Sequence, residues 1–238
     1  IGQPMGMIYG YIYEGTYKYD DFDKSGSSYT LKGNIPHYVS ESNTQPGMPK
    51  YKDLNGDGVI DTNDRTMIGR GLPIHTGGFT NNFEYKGFDL SVFFQWSYGN
   101  DVLNANRLFF DSGFQKKREL NPYASYTDRW TPENPNSNIP AATNSSSNLV
   151  ISSRVVEDAS FLRLKTVTLG YTVPKTFLKK YKIDNARLYV AAQNLWTITG
   201  YSGYDPEVSI RSGGLTPGLD FSSYPRALSV SFGINLGF

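Results

Sequence analysis

The sequence predicts an all-β protein whose longest strands have the pattern of a transmembrane barrel. Three observations predict it. The chain ends in a run of strict apolar–polar alternation, two further alternating runs are joined by only two residues, and short connectors alternate with long ones.

"RALSVSFGINLGF" closes the sequence at Phe238. Leu228, Val230, Phe232, Ile234, Leu236 and Phe238 are apolar, and the residues between them are small or polar. This period of two over 228–238 matches the roughly 9–11 residues a tilted strand needs to cross a bilayer. Pattern alone fits a half-buried strand of a soluble sheet equally well. "FDLSVFFQWSY" (88–98) puts Phe88, Leu90, Val92, Phe94, Trp96 and Tyr98 on one face. "HTGGFTNNFEY" (75–85) alternates less cleanly, and only Lys86-Gly87 separates the two runs, a hairpin signal. "SFLRLKTVTLGYTV" (160–173) changes parity midway, from Leu162 and Leu164 to Val167, Leu169 and Tyr171, which a bulge would produce. "ARLYVAAQNLWTI" (186–198) places Leu188, Val190, Ala192 and Trp196 together, and "MGMIYGYIY" (5–13) reads as a weaker strand. About six strands result.

Between them, 86–87 and 174–185 are short, whereas 14–73, 100–159 and 199–226 are long and rich in Gly, Pro, Asn, Ser and Tyr. Loops of that length are unusual in a compact soluble domain and normal for a barrel with short periplasmic turns and long extracellular loops. The parity places Phe238 on the periplasmic side and the 14–73 loop outside the cell.

Composition narrows the function. Lys and Arg number 23 against 22 Asp and Glu, so nothing points to nucleic acid. There is no cysteine, which rules out disulfides and thiolate metal sites within these residues. His37 and His75 are far apart and lack a ligand spacing. No run of 18 apolar residues exists, which says nothing against a barrel. The sequence starts at Ile1 and reads as a piece of a longer protein.

"DLNGDGVIDTND" (53–64) carries a calcium-loop pattern. Calcium takes six to eight hard oxygens, and a 12-residue loop offers them from positions 1, 3, 5, 7, 9 and 12. Those positions are Asp53, Asn55, Asp57, the Val59 carbonyl, Asp61 and Asp64, with Gly58 at the sharp turn and Ile60 as apolar anchor. The bland reading is a solvated cluster of Asx turns. Asp at the last position matches dockerin-type loops better than regulatory EF-hands. A structural Ca2+ that pins a long loop, with a Kd of roughly 10⁻⁴ to 10⁻³ M, is the expected role.

"DASFLRLKTVTLGYTVP", "LYVAAQNLWTITGYSGYDPEV" and "SYPRALSVSFGINLGF" resemble the C-terminal end of SusC/RagA-type TonB-dependent transporters. "YKGFDLSVFFQWSYGNDVLN", "RWTPENPNSNIP" and the calcium-type loop fit the same family in collinear order. The resemblance implies that 1–238 is the C-terminal segment of a 22-stranded barrel in the bacterial outer membrane, with the plug, TonB box and N-terminal strands absent from this sequence. It implies a SusD-like surface lipoprotein as lid, the TonB complex as energy source, and Bacteroidota-type bacteria as hosts. It further implies oligosaccharide cargo, or oligopeptides on the same scaffold, with outer-membrane lipid around the strands. Val230, Phe232, Ile234, Leu236 and Phe238 match the family's barrel-assembly signal. In "GYDPEV", Tyr204, Asp205 and Glu207 are candidates for partner or substrate contact; loop-internal ion pairs are the simpler reading.

Nothing in the sequence marks a catalytic site. Carboxylates such as Asp20, Asp21 and Asp23 lack the paired geometry of a glycosidase. Trp130, Tyr123, Tyr126, Tyr201 and Tyr204 could stack on sugars, pack loops or sit in a membrane girdle. The Lys116-Lys117-Arg118 and Lys179-Lys180 clusters read as solvated, with Tyr181 at the periplasmic interface. The alternative of a different class is a soluble, calcium-stabilised β-sandwich binding carbohydrate at the cell surface, which would have short connectors at both ends.

Overall fold

The computed structural model describes residues 2–113, 121–144, 148–207 and 217–238. The chain forms two compact units, one of residues 1–72, 101–157 and 209–223, the other of 73–100, 158–208 and 224–238.

The first unit is built from short pieces. β1 (Met7–Gly10) pairs with β6 (Thr66–Arg70), β2 (Tyr13–Thr16) with β5 (Pro49–Tyr51), and β3 (Phe22–Ser25) with β4 (Ser28–Leu31), all antiparallel. β9 (Asp101–Asn104) lies between β10 (Val156–Asp158) and β13 (Leu219–Asp220) and runs into α1 (Ala105–Phe110). Two small aromatic cores hold these pieces together. Tyr11, Tyr51 and Ile60 form one, flanked by Tyr13, Tyr38 and Val150. Tyr17, Phe22 and Leu31 form the other, flanked by Tyr29, Ile35 and Met48. Residues 5–13, expected as one weaker strand, are divided between β1 and β2 inside this unit. Gly10 explains the break, because a side chain there would collide with the Ile151 backbone.

The second unit is one antiparallel sheet of five strands in sequential order: β7 (His75–Tyr85), β8 (Phe88–Tyr98), β11 (Phe161–Thr172), β12 (Asn185–Thr199) and β14 (Ser229–Gly237). Five long strands therefore replace the six expected. Lys86 and Gly87 both have positive φ (47° and 87°), the two-residue turn that suits twisted hairpin strands. The connectors in the sheet are 86–87, 99–160, 173–184 and 200–228, so short and long alternate as the sequence predicts.

Register turns the alternation into two faces. Phe83, Leu90, Leu169, Val190 and Phe232 are direct neighbours across all five strands. So are Tyr85, Phe88, Tyr171, Leu188 and Ile234 one step along. The opposite face runs Asn82, Ser91, Thr168, Ala191 and Ser231. The parity change in β11 is a bulge: register shifts between Leu164 and Thr166, leaving Lys165 extra, while β12 accommodates it at Asn194, whose φ is +54°. The apolar face is uncovered, with Phe232 82% and Phe238 84% exposed. A soluble sandwich would bury it under a second sheet. Exposed apolar area on this scale suits hydrocarbon rather than water.

Candidate functional site

The 53–64 segment folds as a chain of side-chain-capped turns. Asp53 accepts from Gly56 N–H (2.6 Å) and Gly58 N–H (2.9 Å), and Asn55 Oδ1 from Asp57 N–H (3.0 Å). Asp57 accepts from Val59 N–H (2.8 Å) and Asp61 from Asn63 N–H (2.7 Å). Asp64 is fully buried and accepts from Leu54, Asn55 and Asp61 N–H. Burial pushes its carboxyl pKa up, but those three N–H donors outweigh it and hold the group below the ordinary carboxylate value. Gly56 and Gly58 have φ of +77° and +83°, which side chains at these turns would resist. Ile60 is anchored in the first aromatic core, and its N–H donates to the His37 carbonyl (2.9 Å) while His37 N–H donates to the Gly58 carbonyl (3.2 Å). The loop is thus tied at both its ends and its middle.

The donor set is entirely oxygen and the turn glycines are in place, so the chemistry fits a hard cation. In the arrangement seen, no three carboxylates or imidazoles converge on one point among the described residues. The carboxylates instead satisfy backbone N–H groups, and Asp57 and Asp61 face solvent.

The 203–207 part of "GYDPEV" is fixed to the polar face of the sheet; Val208 lies outside the described residues, as does Lys116-Lys117-Arg118. Asp205 (3% exposed) accepts from the buried Arg163 at 2.6 Å, and from Glu207 and Arg226 N–H. Desolvation raises its pKa, but Arg163 and the two N–H donors hold it below the ordinary value. Glu207 takes Arg163 (2.9 Å), Arg226 (3.1 Å) and Lys165 (3.4 Å), with Gln95 at 3.4 Å. Asp205 and Glu207 are therefore turned inward on cations, the simpler of the two readings of that motif. Tyr204 is 87% exposed and remains free to meet another molecule.

Sequence reasoning missed the cations of this network. The available signal was Arg163 itself, an arginine set between Leu162 and Leu164 on the polar face of a strand, with Lys165 two residues on. It also missed Asp89 and Arg187, which pair on the polar face across Gly170, where any side chain would collide with both. Val230, Phe232, Ile234 and Leu236 all lie on β14, and Phe238 immediately follows it. His75 begins β7, stacks on Tyr98 with ring centroids 5.1 Å apart, and accepts from Trp96 Nε1 at 3.1 Å.

No family model matches the chain. Among curated proteins, it is 37% identical to TonB-dependent receptor P3 of Formosa agariphila over all of its own length and 22% of that protein. It is 34% identical to TonB-dependent receptor P26 of the same organism, again over its full length and 23% of the relative. TonB-dependent receptor SusC of Bacteroides thetaiotaomicron is 28% identical over 84% of the chain and 18% of that protein. Among solved structures, the RagAB peptide importer in its open-open state superposes with a TM-score of 0.69, at 26% identity, covering 100% of the chain and 23% of the other. A second structure, the RagAB peptide transporter, gives a TM-score of 0.71 at 24% identity over 98% of the chain and 23% of its own length.

The chain is a SusC/RagA-type segment.

The SusC/RagA-type segment spans less than a quarter of the length of these relatives. It is a strand-dominated outer-membrane protein segment with few helices. None of the relatives bears an enzyme's name, in keeping with the absence of a catalytic pattern in the sequence.

Proposed function

We propose that the SusC/RagA-type segment is the C-terminal part of a 22-stranded, TonB-energised barrel that imports glycan fragments across the outer membrane with a SusD-like lipoprotein as lid. The observation that carries this reading is the two-faced sheet: an uncovered apolar face, a polar face with its own ion pairs, and short and long connectors in alternation. Barrel closure removes the unpaired edges of β7 and β14, which would leave backbone groups unsatisfied in hydrocarbon. In this arrangement the β14 residues Val230 to Leu236, with Phe238, form the assembly signal and end in the periplasm. The long connectors 99–160 and 200–228 face outward, where Tyr204 offers an aromatic surface to cargo or lid. Ca2+ held by Asp53, Asn55, Asp57, the Val59 carbonyl, Asp61 and Asp64 would pin the loop by drawing those oxygens onto one centre.

A second reading, oligopeptide import on the same scaffold, draws on the RagAB neighbours, a peptide transporter in one structure and a peptide importer in the other. Purification of the full-length protein from native outer membranes, with mass spectrometry of what accompanies it, separates the readings. A stoichiometric lipoprotein with bound oligosaccharide supports the first, bound peptide the second. Recovery in the soluble fraction without a lipoprotein contradicts both.

A further inference from the structure

The short-connector end of the sheet has features that import alone does not require. Residues 173–184 form α2 (Lys175–Leu178), a 3-10 turn (Lys179–Tyr181) and a left-handed Lys182 (φ +56°). Lys175, Lys179, Lys180 and Lys182 fall within eight residues, and no carboxylate occurs from Val173 to Ile183. Leu178 is buried and fixes the turn, which leaves Phe177 and Tyr181 outward at 70% and 67% exposure. The adjoining hairpin adds Lys86, whose ammonium lies 5.1 Å from the exposed Tyr85 ring. The nearby acids are few: Asp89 is taken by Arg187, leaving Glu84 and Asp184.

The turn closes the β11–β12 pair, with Val173 N–H donating to the Ala186 carbonyl at 2.9 Å. Directly beside that closure, on the apolar face, is a groove lined by Phe88, Leu169, Tyr171, Leu188, Phe232 and Ile234. A cationic rim, two outward aromatics and an apolar groove thus follow one another along the same end of the sheet. Aromatic rings of this kind settle at the level of lipid headgroups, and lysines near a membrane surface attract anionic ones.

We propose that this end of the sheet binds an anionic glycerophospholipid: Lys175, Lys179, Lys180 and Lys182 hold its phosphodiester headgroup, and the Phe88–Leu169–Leu188–Phe232 groove takes an acyl chain. The proposal rests on the sheet being membrane-spanning. Its occupant follows from charge complementarity and from continuity of the groove with the lipid-facing surface. A free phosphate would use the lysines and ignore the groove; an acidic protein would use the lysines without needing a membrane.

The test is native mass spectrometry of the full-length protein, delipidated in detergent and offered equal phosphatidylglycerol and phosphatidylcholine of identical chains. The expected result is retention of phosphatidylglycerol over phosphatidylcholine by about tenfold. In the Lys175→Gln, Lys179→Gln, Lys180→Gln, Lys182→Gln variant the preference falls to near parity. Water-soluble glycerophosphoglycerol at the same concentration should fail to displace the lipid. Equal retention of both lipids by the wild type, an unchanged preference in the variant, or displacement by the soluble headgroup would each overturn the proposal. Should the variant not fold, the wild-type lipid comparison and the displacement arm decide alone. Heat-modifiable gel migration, read in parallel, reports whether a barrel is present, so failure of the lipid site is distinct from failure of the membrane-spanning reading.

Discussion

The five-stranded sheet and the 1–72/101–157/209–223 unit hold together by different physics. The sheet has no apolar interior of its own: its apolar side chains point away from it, and its order comes from a ladder of registered strands interrupted by the bulge at Lys165. The other unit has pieces of two to six residues, which cannot stand alone, and it is fastened by aromatic cores and by side chains capping backbone groups. On the proposed reading, one chain uses hydrocarbon as the solvent for one region and water for another.

The largest expected effect comes from the polar face. Arg163→Ala leaves Asp205 buried without its cation, and should cost about 3–5 kcal/mol in denaturant unfolding of the vesicle-embedded full-length protein. Next is the lipid face, where Phe232→Arg should cost about 2–4 kcal/mol. Ser231→Arg, one residue away on the polar face, should cost less than about 1 kcal/mol. Equal costs at the two positions would erase the distinction between the faces. In the other unit, about 1 mM Ca2+ should protect the amides of 53–64 from hydrogen exchange by about 0.4–1.4 kcal/mol if the Kd is about 10⁻⁴ to 10⁻³ M. Asp57→Ala should abolish that protection. Ile60→Val should speed exchange in the first aromatic core by about 0.5–1.5 kcal/mol and leave the sheet amides unchanged.

Acid sharpens the comparison at the smallest scale. The carboxyls of Asp64 and Asp205 are held below their ordinary value in the folded state, by backbone N–H groups in one and by Arg163 with N–H groups in the other. A depressed folded pKa gives stability that is present above the unfolded value, about 4, and lost as pH falls through the folded one. Exchange at Leu54, Asn55 and Asp61 should therefore accelerate only below about pH 4. Arg226 N–H, which donates to Asp205, should follow in the same window.

How much of this was legible in the sequence divides along the same line. The period of two gave the spans of β7 and β8 to the residue, and the parity change in β11 announced its bulge, because a strand with one apolar face has no freedom of register. The oxygen-bearing side chains at 53–64 stand out in the sequence because spacing along a turn is local, while their convergence on a cation is a proposal. Their capping of Gly56, Gly58 and Leu54 N–H groups was not legible there, because it depends on how the loop closes. Residues 5–13 were misread as one strand because Ile8, Tyr9, Tyr11 and Tyr13 carry strand propensity, while the Gly10 approach to Ile151 that divides them is long-range. The Arg163–Asp205–Glu207–Arg226 network was invisible for the same reason: its members are up to 63 residues apart (226 − 163) and meet only once the sheet exists.

On the proposed reading β14 presents Val230, Phe232, Ile234 and Leu236 to lipid and Ser229, Ser231, Gly233 and Asn235 to an aqueous interior. The segment contains no cysteine, so cysteines placed singly from 229 to 236 in the full-length protein, in outer-membrane vesicles, can be probed with a water-soluble maleimide. The expected pattern has a period of two, with 229, 231, 233 and 235 labelled and 230, 232, 234 and 236 protected. Uniform labelling along the strand, or protection of the serine positions instead, would contradict it.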